Sequence, residues 1–170
     1  EIPLEAMSAR QSVLFVGATL ARTGKVIIYP PKGDAIGKRP INRHLEGIKA
    51  LGGTVKEINN CIEIFMPKKP KSTIYTFEKN THCGTENLIL ASIFNDGKII
   101  LKNAAQEPEI DDLIMLLIQM GACIKRQNRR IEVEGVSKLH GVKYQIMPDR
   151  NEVVTYAVAA IATRGDVKVI

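Results

Sequence analysis

The sequence predicts a mixed α/β fold of the α+β class, built from a unit that occurs more than once. Apolar residues at positions 45, 48 and 51 precede Gly52-Gly53, which is typical of an amphipathic helix closed by glycine. Residues 113–120 and Gly121 repeat this pattern at an offset of 121 − 52 = 69. The same offset pairs Ile41 with Ile110, Ile48 with Leu117, Val55 with Ile124, Ile62 with Ile131, Ile64 with Val133 and Tyr75 with Tyr144. So many apolar matches in one register indicate a true internal repeat.

A second block occurs three times. Residues 12–22 predict a helix, and Thr23-Gly24 turns the chain into a strand over 25–29. Residues 85–95 and 98–101 repeat the pattern around Asp96-Gly97. A third copy is expected as a helix over 152–163, a turn at Arg164-Gly165 and a strand over 166–169.

Each unit also contains a strand pair. Residues 54–58 and 61–65 are joined at Asn59-Asn60, and 123–126 pair with 130–134; a further strand is expected over 72–77. The unit is therefore βαβαββ-like, and several units would pack their helices centrally with the sheets outside. We expect two units within residues 1–148 and the start of the next unit, in a second domain, at 149–170. Because the chain starts at Glu1 and stops inside an apparent strand, we expect a piece of a longer protein.

Composition restricts the class of protein. Lys and Arg number 24 against 18 Asp and Glu, and the net charge of +6 fits small phosphorylated ligands as well as nucleic acid. The lack of Trp argues against a base-stacking surface, so nucleic-acid binding is the weakest alternative. No apolar run approaches the roughly 20 residues that span a bilayer, so no membrane is expected. Three widely spaced cysteines favour a reducing, cytoplasmic location rather than a disulfide framework or zinc site.

The loop at positions 31–40 combines glycines with charges. Gly33 and Gly37 allow unusual backbone angles, while Lys32, Lys38 and Arg39 surround Asp34. Nearby cations favour the ionised form of a carboxyl group. From spacing alone, a charged surface turn is the preferred interpretation.

Several longer segments change that interpretation. They are Arg10-Gln11-Ser12, Gly17-Ala18-Thr19-Leu20-Ala21-Arg22, Gly33-Asp34-Ala35-Ile36-Gly37-Lys38-Arg39-Pro40, Gly84-Thr85-Glu86-Asn87-Leu88, Asn103-Ala104-Ala105-Gln106-Glu107-Pro108-Glu109-Ile110 and Pro148-Asp149-Arg150. In order and over nearly the whole chain, they resemble the UDP-N-acetylglucosamine 1-carboxyvinyltransferase family of enolpyruvyl transferases. The resemblance implies an inside-out α/β barrel, a prism of two domains with three repeated units each.

The resemblance also implies an activity. The family transfers the enolpyruvyl group of phosphoenolpyruvate to the 3-hydroxyl of UDP-N-acetylglucosamine and releases phosphate, the first committed step of peptidoglycan synthesis. It uses no metal ion and no organic cofactor. Substrates that carry phosphate and carboxylate groups require cationic donors, and arginine matches both groups with two hydrogen bonds.

Candidate residues for phosphoenolpyruvate follow from the resemblance. Asp34 matches the lid residue that is cysteine in most relatives and acts as general acid or in product release. Arg39 matches a lid arginine, and Arg10 matches another that holds the anionic groups; a surface charge at a helix end is the alternative for Arg10. A carboxyl acid must have its pKa raised to donate a proton at neutral pH, so we expect lid closure to desolvate Asp34.

Candidate residues for the sugar nucleotide lie in two segments. The first corresponds to the family stretch around the uracil ring, and the second to a lysine and a turn near the diphosphate. In this sequence they are Arg39, Pro40, Ile41 and Asn42, then Lys79, Thr81, His82, Cys83 and Gly84. Asn42 replaces a common aspartate, and Thr81-His82-Cys83-Gly84 stands where relatives carry Ser-Val-Gly-Ala. A Cys–His nucleophile is the lesser alternative, because adjacent residues point in different directions.

Two further residues complete the implied site. Glu107 matches a glutamate that lines the site between domains, and Arg150 starts the third unit, where it contributes to site closure. Glu109 needs no role in the site, because an acidic residue at the start of a helix is already favoured by the helix dipole.

The sequence leaves rival functions open. They are a 5-enolpyruvylshikimate-3-phosphate synthase-like transferase and a non-catalytic homologue that binds UDP-sugars. The family's early lysine, its aspartate base and a late arginine lie outside this chain, so we expect the chain alone not to turn over. Because Asp34 lacks the thiol that fosfomycin alkylates, we also expect fosfomycin resistance.

Overall fold

In the computed structural model, the described residues are 10–29, 40–59, 61–66 and 69–169. At Arg10 and Gln11 only the backbone is described. The elements, in chain order, are a 3-10 turn Arg10–Leu14, α1 Phe15–Thr23, β1 Lys25–Ile28, α2 Asn42–Ala50, β2 Thr54–Ile58, β3 Cys61–Phe65, β4 Lys71–Thr76, α3 His82–Ala91, β5 Asp96–Lys102, α4 Pro108–Gln119, β6 Cys123–Gln127, β7 Arg130–Glu134 and α5 Arg150–Thr163.

The strands form two sheets, one for each unit. The first is fully antiparallel with the order β1-β3-β2. The second has the order β4-β5-β7-β6, in which β4 and β5 are parallel and the other pairs antiparallel. The mixed α/β fold predicted from the repeats is therefore confirmed.

The helices pack against one another around α3. This helix contacts α1, α2 and α4, and six of its ten residues are buried. Two glycines permit the close approach: a Cβ on Gly17 would clash with the backbone carbonyl of Asn87, and one on Gly47 would clash with the Leu88 side chain. Alternating strand residues such as Ile64 and Ile131 complete the core from the two sheets.

The 69-residue repeat is visible in the backbone. Val55 pairs with Ile64 in the first hairpin, and Ile124 pairs with Val133 at the equivalent place in the second. The loop residues Asn59 and Asn128 are both left-handed, with φ of 47° and 52°. Gly52 and Gly121 follow the preceding helices with φ of 93° and 100°. The glycines and asparagines thus fill positions that most residues avoid.

Two expected elements differ. Helix α3 begins at His82, three residues before the expected start, because Thr81 caps it with its side chain. The strand predicted over 166–169 is wrong: these residues form no strand in the described part of the chain. Val167 and Val169 have strand-forming character, but a strand requires a neighbour for its backbone hydrogen bonds, and none lies beside them there.

The third unit is represented mainly by α5. Its helix is confirmed, and it ends at the left-handed Arg164. None of its residues is buried, although Val154, Tyr156 and Ile161 are apolar. Tyr144, which the repeat pairs with Tyr75 of β4, is not in a strand and instead donates to Asp112 of α4 at 2.8 Å. The division at residue 148 stays a prediction. No helix of the described ranges has the length and apolar character of a membrane span.

Candidate functional site

A cleft of about 590 Å³ lies where the first turns of α2 and α3 meet. The lining residues come from both helix starts and from the segments before them. They are Pro40, Asn42, Arg43, His44, Glu46, Glu78, Thr81, His82 and Cys83. Neither helix has an acidic residue in its first turn. Because the first N–H groups of a helix lack partners within it and carry partial positive charge, two such ends favour an anion.

The start of α3 is fixed by Thr81. Its backbone is extended, and its Oγ1 accepts from the Gly84 amide at 3.4 Å. A Cβ on Gly84 would clash with the Thr81 methyl group, so glycine lets the chain close this turn. The turn therefore places His82 and Cys83 at the cleft.

The start of α2 is anchored by Ile41. This side chain is buried, and its carbonyl accepts from the amides of His44 at 2.9 Å and Leu45 at 3.2 Å. Pro40, Asn42 and Arg43 are exposed around it. A buried anchor beneath exposed polar residues holds the backbone of this segment in place.

The cleft contains acids as well as basic groups. Glu46 and Glu78 line it, and together with burial they raise the pKa of Tyr75, with burial the larger cause. Arg43 adds a guanidinium group to the lining. Carboxylates accept hydrogen bonds from hydroxyl and imide groups, whereas cations and helix starts suit phosphates. The lining therefore suits a ligand that carries both kinds of group.

A second group of polar side chains, centred on Glu86, lies next to this cleft. His82 Nε2 is 3.5 Å from Glu86 Oε1, one helical turn away. Burial raises the pKa of the Glu86 carboxyl, and the charges of Glu109 and Glu107 raise it further, against lowering by His82 and by a hydrogen bond from Cys83. A carboxyl in this setting holds a proton to higher pH than an exposed one.

The loop before α4 presents Glu107. Ala105 in this loop donates its amide to Thr85 Oγ1 at 3.1 Å and accepts from Arg126 at 2.9 Å. Arg126 also forms an ion pair with Asp111 at 3.1 Å. Glu107 is the N-cap residue of α4, and its Oε2 is buried without a hydrogen-bond partner among the described residues. The loop is thus held rigidly while one acidic oxygen stays unused.

Arg150 approaches the same group from α5. Its guanidinium donates to both oxygens of Glu109, at 2.8 and 3.3 Å. This arginine lowers the pKa of the Glu109 carboxyl, and the Glu109 carboxylate in turn raises the pKa of Arg150. Glu109 therefore has a partner in the third unit beyond its favourable place at a helix start.

The structure brings five of the predicted site residues together. Pro40, Asn42, Thr81, His82 and Cys83 line one cleft, although about 40 positions separate the two segments. Ile41 and Gly84 are buried behind that lining, so only their backbone is suited to ligand contact. Lys79 is exposed and is not among the lining residues.

The other predicted residues divide into two groups. Glu107 and Arg150 belong to the group around Glu86 rather than to the cleft wall. Asp34 and Arg39 lie outside the described residues, as does the side chain of Arg10. In the described segments, no three His, Cys, Asp or Glu side chains form a group that could hold a metal ion.

Some residues of the site were not predicted from the sequence. Arg43, His44, Glu46 and Glu78 were missed because no motif marks them, and their meeting in one cleft depends on tertiary packing. The sequence analysis identifies Glu86 and Asn87 only as members of the segment Gly84-Thr85-Glu86-Asn87-Leu88. A signal was available, since polar residues within the otherwise apolar segment of α3 are unfavourable unless they have a buried partner.

Comparison with known proteins defines the family. The family model described as EPSP synthase (3-phosphoshikimate 1-carboxyvinyltransferase) matches residues 3–170. The chain belongs to the EPSP synthase family. Relatives within it are named UDP-N-acetylglucosamine 1-carboxyvinyltransferase. One from Saccharophagus degradans is 45% identical over 99% of this chain, and one from Idiomarina loihiensis is 39% identical over 94%. The chain spans 40% and 38% of their respective lengths.

Two solved structures have the same fold. The enolpyruvyl transferase NikO from Streptomyces tendae matches 94% of this chain, over 38% of its own length, with a TM-score of 0.78 at 18% identity. EPSP synthase from Acinetobacter baumannii matches 90% of the chain, over 35% of its own length, with a TM-score of 0.70 at 16% identity. The expected enolpyruvyl transferase fold is confirmed.

Proposed function

We propose that this chain is the sugar-nucleotide-binding part of an enzyme that transfers the enolpyruvyl group of phosphoenolpyruvate to the 3-hydroxyl of UDP-N-acetylglucosamine. The observation that carries the proposal is the convergence of two acid-free helix starts and Arg43 on one cleft. The names of relatives that are 39–45% identical over nearly the whole chain support this substrate over shikimate 3-phosphate. The reaction would place the protein in peptidoglycan synthesis, in the cytoplasm.

The chemistry of the lining residues indicates which part of the substrate each of them would bind. The amides at the starts of α2 and α3, together with Arg43, would hold the diphosphate. Asn42, Glu46 and Glu78 offer hydrogen-bond acceptors for the uracil and sugar groups. Thr81 and Gly84 would act through the backbone geometry of the turn. His82 and Cys83 lie at the diphosphate side, while Lys79 would reach the nucleotide phosphates only from outside the cleft.

The reacting end of the substrate would lie toward the second polar group. Glu107 Oε2 is buried there with no hydrogen-bond partner among the described residues, and Arg150 adds a guanidinium from α5. Phosphoenolpyruvate would be held by Arg10 and Arg39, with Asp34 as the general acid; these three assignments come from the sequence resemblance. The proposed site uses neither a metal ion nor an organic cofactor.

Binding is the direct test. We would titrate the 15N-labelled chain with UDP-N-acetylglucosamine and follow its backbone amide signals. The proposal expects shifts at residues 42–43 and 82–84 and none at Lys125, an exposed residue of β6. Replacing Arg43 by Gln should weaken binding roughly threefold to tenfold, because a charged hydrogen bond is lost. The matched variant Lys125→Gln should bind as the wild type does.

Each rival function predicts a different result. A shikimate-type enzyme would show these shifts with shikimate 3-phosphate instead. To separate an enzyme from a non-catalytic binder, residues 1–170 would replace the matching segment of the Saccharophagus degradans relative. Phosphate release by this chimera from phosphoenolpyruvate and UDP-N-acetylglucosamine is expected. Binding without phosphate release would contradict the catalytic part of the proposal.

A further inference from the structure

A buried network of hydrogen bonds connects α1, α2 and α3 behind the cleft. Asn87 of α3 lies at its centre. Its Oδ1 accepts from the Gly17 amide at 2.7 Å, and its Nδ2 donates to the Val13 carbonyl at 2.9 Å. The same Nδ2 is 2.8 Å from Nδ1 of His44. Asn87 is fully buried and His44 almost so, and both amide hydrogens and one lone pair of Oδ1 have partners among these residues.

The two backbone partners determine which way the amide faces. The Gly17 N–H can only donate and the Val13 carbonyl can only accept, so Oδ1 and Nδ2 cannot be exchanged. Nδ2 therefore donates to His44, and Nδ1 of His44 must be the acceptor. An imidazole that accepts at Nδ1 carries its proton on Nε2. The network thus selects one tautomer of a histidine that lines the cleft.

The network also joins the segments that carry the proposed site. Val13 belongs to the 3-10 turn that begins at Arg10, and His44 lies in the first turn of α2, two residues after Asn42. Asn87 follows the Thr81 turn by six residues on α3. The close packing at Gly17 leaves no room for α1 to shift toward α3. One side chain therefore connects three parts of the chain that are distant in sequence.

We infer that Asn87 is a positioning residue: it fixes His44 as the Nε2–H tautomer and holds the first turns of α2 and α3 in the relative placement that forms the cleft. It does not itself line the cleft. Its effect on ligand affinity rests on the proposed function, whereas its effects on tautomer and backbone do not.

The test uses the whole 170-residue chain at neutral pH. A long-range 1H–15N spectrum shows which nitrogen of His44 carries the proton, and the expected result is Nε2. In Asn87→Asp the side chain cannot donate, so the proton should move to Nδ1 and the amide signals of residues 42–44 and 81–84 should shift. Affinity for UDP-N-acetylglucosamine should fall roughly tenfold or more, because the groups of the cleft are displaced.

Ile131→Ala is the matched control. Ile131 of β7 is fully buried and apolar, so this variant loses stability, while the residue belongs neither to the network nor to α1, α2 or α3. It should keep the His44 tautomer and most of the affinity. If Asn87→Asp does not fold, His44→Asn and His44→Phe replace it. The asparagine Oδ1 can stand in for Nδ1 and should preserve the amide signals of residues 81–84, whereas phenylalanine should shift them.

Three results would overturn the inference. They are a wild-type His44 protonated at Nδ1, equal displacement of the cleft signals by Ile131→Ala and Asn87→Asp, and equal displacement by the two His44 variants. A wild-type chain that shows the expected tautomer but does not bind UDP-N-acetylglucosamine would instead contradict the proposed function. In that case the tautomer and the amide signals decide the role of Asn87 by themselves.

Discussion

Arg150, the first residue of α5, donates through two nitrogens to the carboxylate of Glu109, in the first turn of α4. The two residues are 41 positions apart, and the pair connects the third unit to the second. The guanidinium keeps the pKa of the Glu109 carboxyl below its usual range. This connection lies beside Glu107, so it bears on the proposed site as well as on stability.

Replacing Arg150 by Gln should raise the pKa of Glu109 toward its ordinary value. A carboxyl with a lowered folded pKa adds stability above its unfolded pKa, and this stability is lost as the pH falls through the folded pKa. The variant should therefore lose less stability on acidification than the wild type. Carbon-13 NMR titration of the Glu109 carboxyl and denaturant unfolding between neutral and acidic pH would measure both effects. Lys138→Gln, an exposed change of the same charge, should alter neither.

Replacing Glu86 by Gln should remove a loss of stability that occurs as the pH rises, whereas the Arg150 variant reduces a loss that occurs as the pH falls. Burial raises the folded pKa of Glu86, so the folded state binds more protons than the unfolded state between the ordinary and the raised value. Wild-type stability consequently falls as the pH rises through that window, and the glutamine variant should lack this fall. Denaturant unfolding at closely spaced pH values would show it. A stability difference between the two proteins that stays constant with pH would contradict the prediction.

Gly17→Ala should destabilise the chain by about 1–3 kcal/mol, because the added methyl group clashes with the Asn87 carbonyl in tightly packed backbone. Gly141→Ala is the control. A Cβ there meets no atom within 4 Å, and Gly141 is not among the glycines with positive φ. It should be neutral or stabilise by up to about 0.5 kcal/mol through the unfolded state. Urea unfolding of both variants would test the pair, and similar losses would refute the steric explanation.

Fosfomycin should not inactivate a chimera that carries this chain with Asp34 in place. A carboxylate lacks the thiol that this epoxide alkylates in the family. Asp34→Cys should restore time-dependent inactivation, which makes the variant its own positive control. Rates of phosphate release after timed incubation with fosfomycin would measure both proteins. In the same assay, the Asp34 chimera should lose activity at alkaline pH as the general acid ionises.

Much of the fold could be predicted because it depends on local signals. The first hairpin was predicted with the bounds Thr54–Ile58 and Cys61–Phe65, since alternating apolar residues and paired asparagines define both strands and the loop. The relation between Gly52 and Gly121 was equally clear, because a left-handed helix end favours glycine. The strand over 166–169 failed because strand formation depends on a neighbouring strand, which local sequence does not describe.

The site was predicted less completely than the fold. Motif comparison found the two segments of the cleft, as Asn42 and Thr81 illustrate. It did not indicate that Asn87 connects α1, α2 and α3, because the partners of a buried amide are set by tertiary packing. Arg126 was missed for the same reason: its contact with Ala105 joins positions 21 residues apart.

The two units differ in the length of one connection. Between β1 and α2 the chain has 13 residues, at 29–41, whereas between β5 and α4 it has five, at 103–107. The hairpins that follow these connections, β2–β3 in the first unit and β6–β7 in the second, have the same register. The extra residues therefore do not alter the strand pairing. The entropic cost of closing a loop rises only slowly with its length, so a longer connection lowers the stability of the fold only slightly. A duplicated framework of this kind separates the evolution of chemistry from that of folding: one copy preserves the spacing while the other is free to acquire a working loop.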